Sequence, residues 1–307
     1  MSWLKITYRL LFIALGIAIS TSATAQQEWL FTQHSFNLYD VNAAYAGNYN
    51  GLATAIRYRD QWTGLDGAPN TQQISLHCPI QRDKLGVGLQ VRNESIGARN
   101  QFSAKLGFSY KIKFAKGMLS FGLQAGALQQ TMKVSELTAK DESDIYLLGG
   151  DLNSLTPTTD VALFFNTSKF YIGVQGTHIF PADLVFVDGS NARSYYHLNA
   201  VVGRVFTLSE KWKLKPFAML RMAENVDPQG EGFVSVLYDD ILWVGAGYRQ
   251  DFGPSFFTEW NVTKRFRVGY SFDLLTNPLR AGQTGSHEIF LGYNFQFRKS
   301  APSIRYF

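Results

Sequence analysis

The chain has 307 residues, of which 46% are hydrophobic, 15% are aromatic and only 17% are charged. This composition excludes an intrinsically disordered chain, which would be rich in charge and poor in aromatic residues. The single cysteine, Cys78, also excludes a fold held together by disulfide bonds.

The first 25 residues have the three parts of a secretory signal peptide. Lys5 and Arg9 precede the apolar run Leu10–Ile19, and residues 20–25 are small and end in an A-x-A pattern. The apolar run is too short to cross a membrane as a helix, and the alternative interpretation is a buried N-terminal helix. Cleavage after Ala25 removes two basic residues and lowers the net charge from +5 to +3, which is too small to indicate a nucleic-acid partner.

Beyond the signal peptide, apolar and polar residues alternate with a period of two, which is typical of β-strands with one apolar face. The clearest apolar series is Phe102, Ala104, Leu106, Phe108, Tyr110, Ile112 and Phe114. The same alternation recurs at residues 85–91, 119–127, 266–274 and 289–297. Phe290 breaks the last series because it falls on the polar face.

We predict about 14 strands, which are long enough to cross a bilayer obliquely. The predicted cores are residues 51–59, 70–78, 85–95, 101–114, 118–132, 158–167, 169–178, 193–206, 212–224, 232–238, 241–249, 252–261, 264–275 and 285–297. An even number of such strands favours an all-β fold, a transmembrane antiparallel β-barrel. The alternative is a secreted β-sandwich.

The predicted connections alternate in length, as expected of a barrel whose two termini lie in the periplasm. The tight connections are residues 115–117, 168, 208–211, 239–240 and 262–263, and the longer ones are residues 59–70, 133–157, 179–192, 224–231 and 276–284. The short connection at residues 250–251 is an exception.

The strand register places basic side chains in the lumen, because a Lys or Arg facing lipid at the middle of the bilayer costs roughly 2–4 kcal/mol. The basic residues expected there are Arg57, Arg59, Arg92, Lys105, Lys111, Lys113, Arg221, Arg265 and Arg267. Their expected acidic partners include Glu259, Asp273 and Glu288.

These patterns divide the chain into four parts. Residues 1–25 form the signal peptide, residues 51–297 the outer-membrane β-barrel and residues 298–307 a C-terminal tail. Residues 26–50 precede the first strand, and the sequence leaves open whether they fold into the barrel as a plug or lie at its periplasmic end as a lid.

Several stretches, in order along the chain, resemble the PorP/SprF family of the type IX secretion and gliding systems of Bacteroidetes. They are Phe31-Thr32-Gln33-His34, Asn42-Ala43-Ala44-Tyr45-Ala46-Gly47, residues 58–72 with the sequence YRDQWTGLDGAPNTQ, His77-Cys78-Pro79, the Gly-rich strand at residues 85–89, residues 270–273, Gly285-Ser286-His287-Glu288-Ile289 and Tyr293-Asn294-Phe295. Two positions depart from the family pattern. Ala43 replaces a Pro, which predicts a less rigid turn, and Cys78 replaces the usual Ser.

The resemblance implies an outer-membrane barrel, exported through the inner membrane, that helps secrete or attach surface proteins. The implied partners are type IX secretion components, a secreted protein or surface adhesin with a C-terminal sorting domain, and outer-membrane lipid. The resemblance does not imply an enzyme. From the residues alone, a diffusion channel or small-solute transporter remains the alternative, and an outer-membrane enzyme is the third hypothesis.

The candidate partner-contact loop is the first outer loop, since exposed loops on a rigid scaffold often carry binding function. Its candidate residues are Trp62, Gly64, Asp66, Gly67 and Pro69, with Trp62 expected near the membrane interface. The alternative is a loop that simply packs over the barrel mouth. The family-motif residues are Asn42, Tyr45, Gly47, Gln61, Ser286, His287 and Glu288. The last three are expected at a Gly turn on the barrel rim.

The sequence offers no pattern for a metal site, a cofactor or a catalytic nucleophile. The five histidines, at positions 34, 77, 178, 197 and 287, do not have the spacing of a zinc site. The serines show no G-x-S-x-G motif, and no helix pattern follows the Gly-x-Gly pairs, as a dinucleotide site requires. We therefore expect neither catalysis nor a bound cofactor.

Overall fold

A computed structural model describes residues 31–81, 84–137, 150–180, 196–224 and 226–296. The predicted signal peptide and C-terminal tail lie outside the described residues. None of the helices within these ranges is long and apolar enough to cross a membrane.

The described residues form fourteen antiparallel strands. They are β1 (Gly51–Asp60), β2 (Asn70–Gln81), β3 (Leu85–Ile96), β4 (Arg99–Phe114), β5 (Gly117–Met132), β6 (Leu152–Asn166), β7 (Phe170–Thr177), β8 (His197–Arg204), β9 (Trp212–Ala223), β10 (Val226–Tyr238), β11 (Leu242–Arg249), β12 (Gly253–Asn261), β13 (Phe266–Asp273) and β14 (Ser286–Gln296). The pair Phe206–Thr207 continues β8 beyond a break at Val205 and pairs with β9. Short 3₁₀ helices lie at Gln33–Phe36, Leu38–Asp40, Ala43–Tyr45, Val134–Glu136 and Pro278–Gly282.

Every strand pairs with its neighbours in sequence, and β1 also pairs with β14, so the sheet closes into a barrel without an edge. Closure gives every strand a hydrogen-bonded neighbour on each side, which is what a sheet within a bilayer requires. The prediction of an all-β transmembrane barrel of about 14 strands is confirmed.

The lipid-facing side of the barrel is apolar, as the alternation predicts. In β4, Leu106 and Phe108 are 58% and 57% exposed on the lipid-facing side. Ser103 and Lys105, which lie on the opposite face of the same strand, are buried in the lumen. The predicted lumenal positions of most of the basic residues are also correct. Lys113 and Arg265 are the exceptions, because both side chains are exposed, the first near the end of β4 and the second just before β13.

The barrel has two different ends, which we name by their connections. The turn end carries the start of β1, the end of β14 and the short turns, such as residues 115–116 and 239–241. The loop end carries the connections 61–69, 133–151, 178–196 and 274–285, together with three short ones.

Two strands begin well before their predicted starts. β6 begins at Leu152 and not at residue 158, and β10 begins at Val226 and not at residue 232. Pro157, Pro228 and Gly230 indicate loops in the sequence, yet these residues lie within paired strands near the loop end. The predicted long connection 224–231 is therefore a tight turn.

Candidate functional site

Residues 31–50, which we call the plug segment, lie inside the barrel. Phe31 lies near Arg249 at the loop end of β11, and Gly47 lies against Gly86 at the turn end of β3, so the plug segment runs through the lumen from the loop end to the turn end. Its side chains from Phe31 to Tyr39 are all buried. Of the two arrangements that the sequence left open for this region, these residues adopt the plug.

The plug segment fits because the barrel wall is lined with glycine where the plug approaches. Gly88 and Gly107 lie opposite each other on β3 and β4, and the Tyr39 ring lies over both. A Cβ atom at Gly107 would be 2.6 Å from Tyr39 Oη, and one at Gly88 would overlap the ring. At four other wall glycines, an added Cβ atom would also lie too close to an atom of the plug segment. These are Gly86, Gly122, Gly173 and Gly269. The wall glycines thus form the seat of the plug segment.

Basic side chains of the wall bind the plug backbone, which has no strand partner for its carbonyl groups. The donors and acceptors follow the chain in order: Arg249 Nη2 to Phe31 O (2.9 Å), Arg57 Nη2 to Gln33 O (3.1 Å), Lys215 Nζ to Ser35 O (3.1 Å) and Arg267 Nη1 to Phe36 O (3.4 Å). The wall therefore replaces the hydrogen bonds that the plug segment would make with water.

Glu288 joins the barrel to the start of the plug segment. Its carboxylate accepts hydrogen bonds from the backbone N–H groups of Thr32 (2.6 Å) and Gln33 (3.1 Å) and lies 3.3 Å from Arg59 Nη1. Arg59 also pairs with Asp273 (2.5 Å), whose carboxylate accepts from the Thr32 hydroxyl. Glu288 is fully buried and pairs with Arg59, as expected of a lumenal acid, and it does not lie on the barrel rim, where the Gly turn was expected to place it.

A second buried charge cluster holds His34. Its Nε2 lies 2.8 Å from Glu231 Oε1, and Glu231 also pairs with Arg221 (3.2 Å) and Arg249 (2.7 Å). Buried ion pairs add little net stability but fix geometry when every charge is compensated. Sequence reasoning missed this cluster, because its members lie on the plug segment, β9, β10 and β11.

The middle of the plug segment packs against an apolar part of the lumen. The Phe36 ring lies 5.7 Å from Trp243 and 5.6 Å from Phe257, and Lys215 Nζ lies 4.0 Å from the Phe36 centroid. The alternation alone suggested a uniformly polar lumen, but the lumen also contains this apolar part. Phe290 belongs to the same interior, with the guanidinium groups of Arg57 and Arg267 about 5 Å from its ring, which explains its position on the polar face.

The structure brings the first family motif into the plug. Asn42 caps the helix Ala43–Tyr45 by accepting from Ala44 N, and its amide nitrogen donates to the carbonyl oxygens of Leu163 and Val174, both at 3.1 Å. The Tyr45 ring contacts His77 and Phe164 edge-on.

Gly47 and Ala43 show what the motif requires of the backbone. Gly47 has a φ of +68°, and a Cβ there would lie 2.8 Å from Gly86 Cα, so only glycine fits without strain. Ala43 N donates to Gln175 Oε1 at 2.6 Å, a hydrogen bond that the family's Pro has no N–H to make.

The candidate partner-contact loop lies at the mouth of the loop end. Trp62 N donates to Ser286 Oγ (3.2 Å), Gly67 O accepts from Gly97 N (2.9 Å) and Gln61 N donates to Pro69 O (2.9 Å). Gly64, Asp66 and Gly67 are exposed, whereas Gln61 and Pro69 are buried. His287 lies on the lipid-facing side, with Nδ1 2.7 Å from the Tyr270 hydroxyl, so the three GSHE residues do not converge on one site.

No group of three or more His, Cys, Asp or Glu side chains in the described ranges could hold a metal ion. The lumenal carboxylates described above are compensated by arginine or by plug backbone groups. The arrangement is therefore that of a filled barrel with a structured mouth.

Many solved structures share this fold. The chain is similar to a CymD monoaromatic hydrocarbon channel (TM-score 0.51, 11% identity, 87% of this chain and 94% of that chain covered). It is also similar to the Ralstonia pickettii toluene transporter TbuX (0.52, 9%, 84% and 92%) and to a Pseudomonas aeruginosa FadL homologue (0.51, 10%, 86% and 94%). At these identities the likeness shows the fold alone.

Comparison with curated proteins finds no match. The model of the family described as type IX secretion system membrane protein PorP/SprF matches residues 23–293. The matched range contains the plug segment and nearly all of the barrel, and family and fold together support a place in the outer membrane. The chain belongs to the PorP/SprF family of type IX secretion system membrane proteins.

Proposed function

We propose that this barrel helps secrete or attach a surface protein that carries a C-terminal sorting domain, and that the loop end contacts that cargo or another secretion component. Family membership supports the pathway. The orientation that goes with this proposal places the turn end in the periplasm, since β1 begins and β14 ends there and bacterial barrels have short periplasmic turns.

Trp62 is the observation that favours the first outer loop as a contact surface. Its φ is +51°, a left-handed conformation that is costly for a bulky residue and that recurs at binding sites. Hydrogen bonds to Ser286 and between Thr63 and the 284–285 backbone hold it there. The indole N–H is buried and has no hydrogen-bond partner among the described residues, so the loop surface that a partner would meet comes from the exposed residues Gly64, Asp66 and Gly67 beside it.

The plug segment favours a binding role over the alternative of a diffusion channel or small-solute transporter. Its side chains are buried between opposite walls, and its backbone groups are bound by wall residues along its length. Free diffusion would require this segment to leave the lumen. We also propose that the chain is not an enzyme, because the buried carboxylates Glu231, Asp273 and Glu288 are each engaged by arginine.

Replacement of Trp62 by Ala tests the proposal. We expect Trp62→Ala to reduce the amount of cargo displayed on the cell surface, while the amount of barrel in the outer membrane stays constant. Trp260→Ala is the matched control, because Trp260 is exposed at the turn end of β12. Surface labelling of the cargo gives the measurement, and unchanged display in Trp62→Ala cells would refute a contact role for this loop.

A further inference from the structure

Amide side chains face outward on one part of the barrel, next to the loop end. Gln72 on β2 is exposed, whereas its neighbours Thr71 and Gln73 are buried in the lumen. Asn70 shares the outward face of β2 with Gln72, because strand side chains alternate with a period of two. Asn93 is the cross-strand partner of Gln72 on β3 and lies on the same face. These amides interrupt a surface that is otherwise apolar.

The outward amides form one hydrogen-bonded row with Tyr58 of β1. Asn70 Nδ2 donates to the Tyr58 hydroxyl at 2.7 Å, and Gln72 Nε2 donates to Asn70 Oδ1. Asn93 Nδ2 donates to Gln72 Oε1 at 3.2 Å. We call Tyr58, Asn70, Gln72 and Asn93 the amide row. The bonds within it use three of the six amide N–H groups, and the other three have no acceptor in the part of the chain that the structure describes.

The amide row lies at the border between the apolar face and the loop end. Below the row, the outward residues of β2 and β3 are apolar apart from Cys78; they are Ile74, Leu76, Ile80, Leu85, Val87, Leu89 and Val91. At its other side, Asn70 begins β2 and adjoins the connection 61–69. A tyrosine at such a border is typical of the membrane interface. With the loop end outside the cell, the row lies at the headgroup level of the outer leaflet.

The charge around the row selects sugar hydroxyl groups over phosphate. Phosphate is bound by arginine or lysine, yet Arg57 and Arg92 on the same strands are buried in the lumen. The register places the acidic residue Asp60 beside Asn70, and its negative charge would repel phosphate. Amide and phenol groups both donate and accept hydrogen bonds, as sugar hydroxyl groups do. The exposed ring of Phe102 on β4, next to Asn93, adds an apolar surface for a sugar ring.

We propose that the amide row binds the sugar headgroup of a glycolipid in the outer leaflet, with the acyl chains along the apolar residues below. A membrane protein would also contact the barrel below the row, where Ile74, Leu76 and Val91 offer no group that favours a protein over acyl chains. The site rests on the proposed orientation of the barrel, and it is independent of the cargo role.

Native mass spectrometry of the detergent-solubilised, processed chain tests this site. The two lipids titrated separately are an acylated glucosamine disaccharide without phosphate and phosphatidylglycerol. The site variant combines Gln72→Leu and Asn93→Leu. The matched control combines Gln129→Leu and Asn153→Leu, which removes the same two residue types from exposed positions near the same end. Gln129 and Asn153 are at least two strands, or roughly 10 Å, away from the row.

We expect the site variant to bind the acylated disaccharide roughly tenfold more weakly, because two hydrogen-bonding amides are lost, with phosphatidylglycerol binding unchanged. The control variant should keep most of its affinity for the disaccharide. Equal losses in both variants, no loss in the site variant, or an equal loss of phosphatidylglycerol binding would each overturn the site. A dimer of the unaltered chain that the site variant alone abolishes would also overturn it, by assigning the row to a protein contact.

Heat-modifiable migration on gels verifies that each variant folds. If the site variant does not fold, Tyr58→Phe replaces it, because this change removes only the hydroxyl group that accepts from Asn70. Tyr58→Phe should then weaken disaccharide binding and leave phosphatidylglycerol binding unchanged, and full disaccharide affinity in Tyr58→Phe would overturn the site. None of these readouts depends on cargo display.

Discussion

Single glycines determine whether the plug segment can enter the barrel. The sequence shows Gly86 and Gly88 on the polar face of a strand, and this much was predicted from the alternation. It could not show that Tyr39 lies against Gly88 and Gly107, because the contact joins residues about 50 to 70 positions apart with no periodic signal between them. The requirement for glycine there comes from tertiary packing.

The Gly88→Ala variant tests this packing. The added methyl group would overlap the Tyr39 ring, so we expect a loss of roughly 1–3 kcal/mol in the free energy of unfolding. Urea unfolding of the barrel in liposomes is the measurement. Gly232→Ala is the control, since the nearest atom to a Cβ at Gly232 is 3.9 Å away. Addition of Tyr39→Ala to Gly88→Ala should restore part of the lost free energy of unfolding. If Gly88→Ala is as stable as the native protein, the packing of Tyr39 against this wall glycine does not require glycine.

At the scale of the strand, register was predictable and strand length was less so. Alternation assigns each side chain to lipid or lumen, because a slip of one residue would reverse every assignment in the strand. β6 and β10 were predicted too short since proline and glycine near their loop ends indicate turns in the sequence. Pairing along the neighbouring strand overrides that local signal, as the pairs formed by Pro157 and Gly230 show.

Replacement of Leu106 by Arg tests the lipid-facing assignment of β4. Leu106 is 58% exposed on the apolar face, and we expect Leu106→Arg to lower the free energy of unfolding in liposomes by roughly 2–4 kcal/mol. Leu106→Met should change it by less than about 1.5 kcal/mol. If arginine and methionine are tolerated equally, this face does not lie in the bilayer.

At the scale of the whole molecule, the closed barrel followed from the strand count and the alternation, but the plug did not. The polar and aromatic composition of residues 26–50 was compatible with a plug or a lid. The decisive features, such as Glu288 accepting from Thr32 N and Arg57 donating to Gln33 O, need the folded barrel to exist. Motif residues Asn42, Tyr45 and Gly47 are thereby assigned to the plug–wall contact.

The orientation of the molecule predicts which end reacts from outside the cell. In a Cys78→Ser background, Asp66→Cys should react with a membrane-impermeant maleimide on intact cells, whereas Lys116→Cys should react only after the outer membrane is permeabilised. Both positions are exposed, Asp66 at the loop end of the barrel and Lys116 at the turn end. Labelling of Lys116→Cys on intact cells would reverse the orientation.

The central claim is that the plug segment closes the barrel, and single-channel recording in planar bilayers tests it most directly. We predict that the intact protein shows little conductance and that a variant without residues 31–46 forms stable open pores, because the wall groups that held the segment would then line a water-filled lumen. Pores of equal conductance in the two proteins would contradict the account.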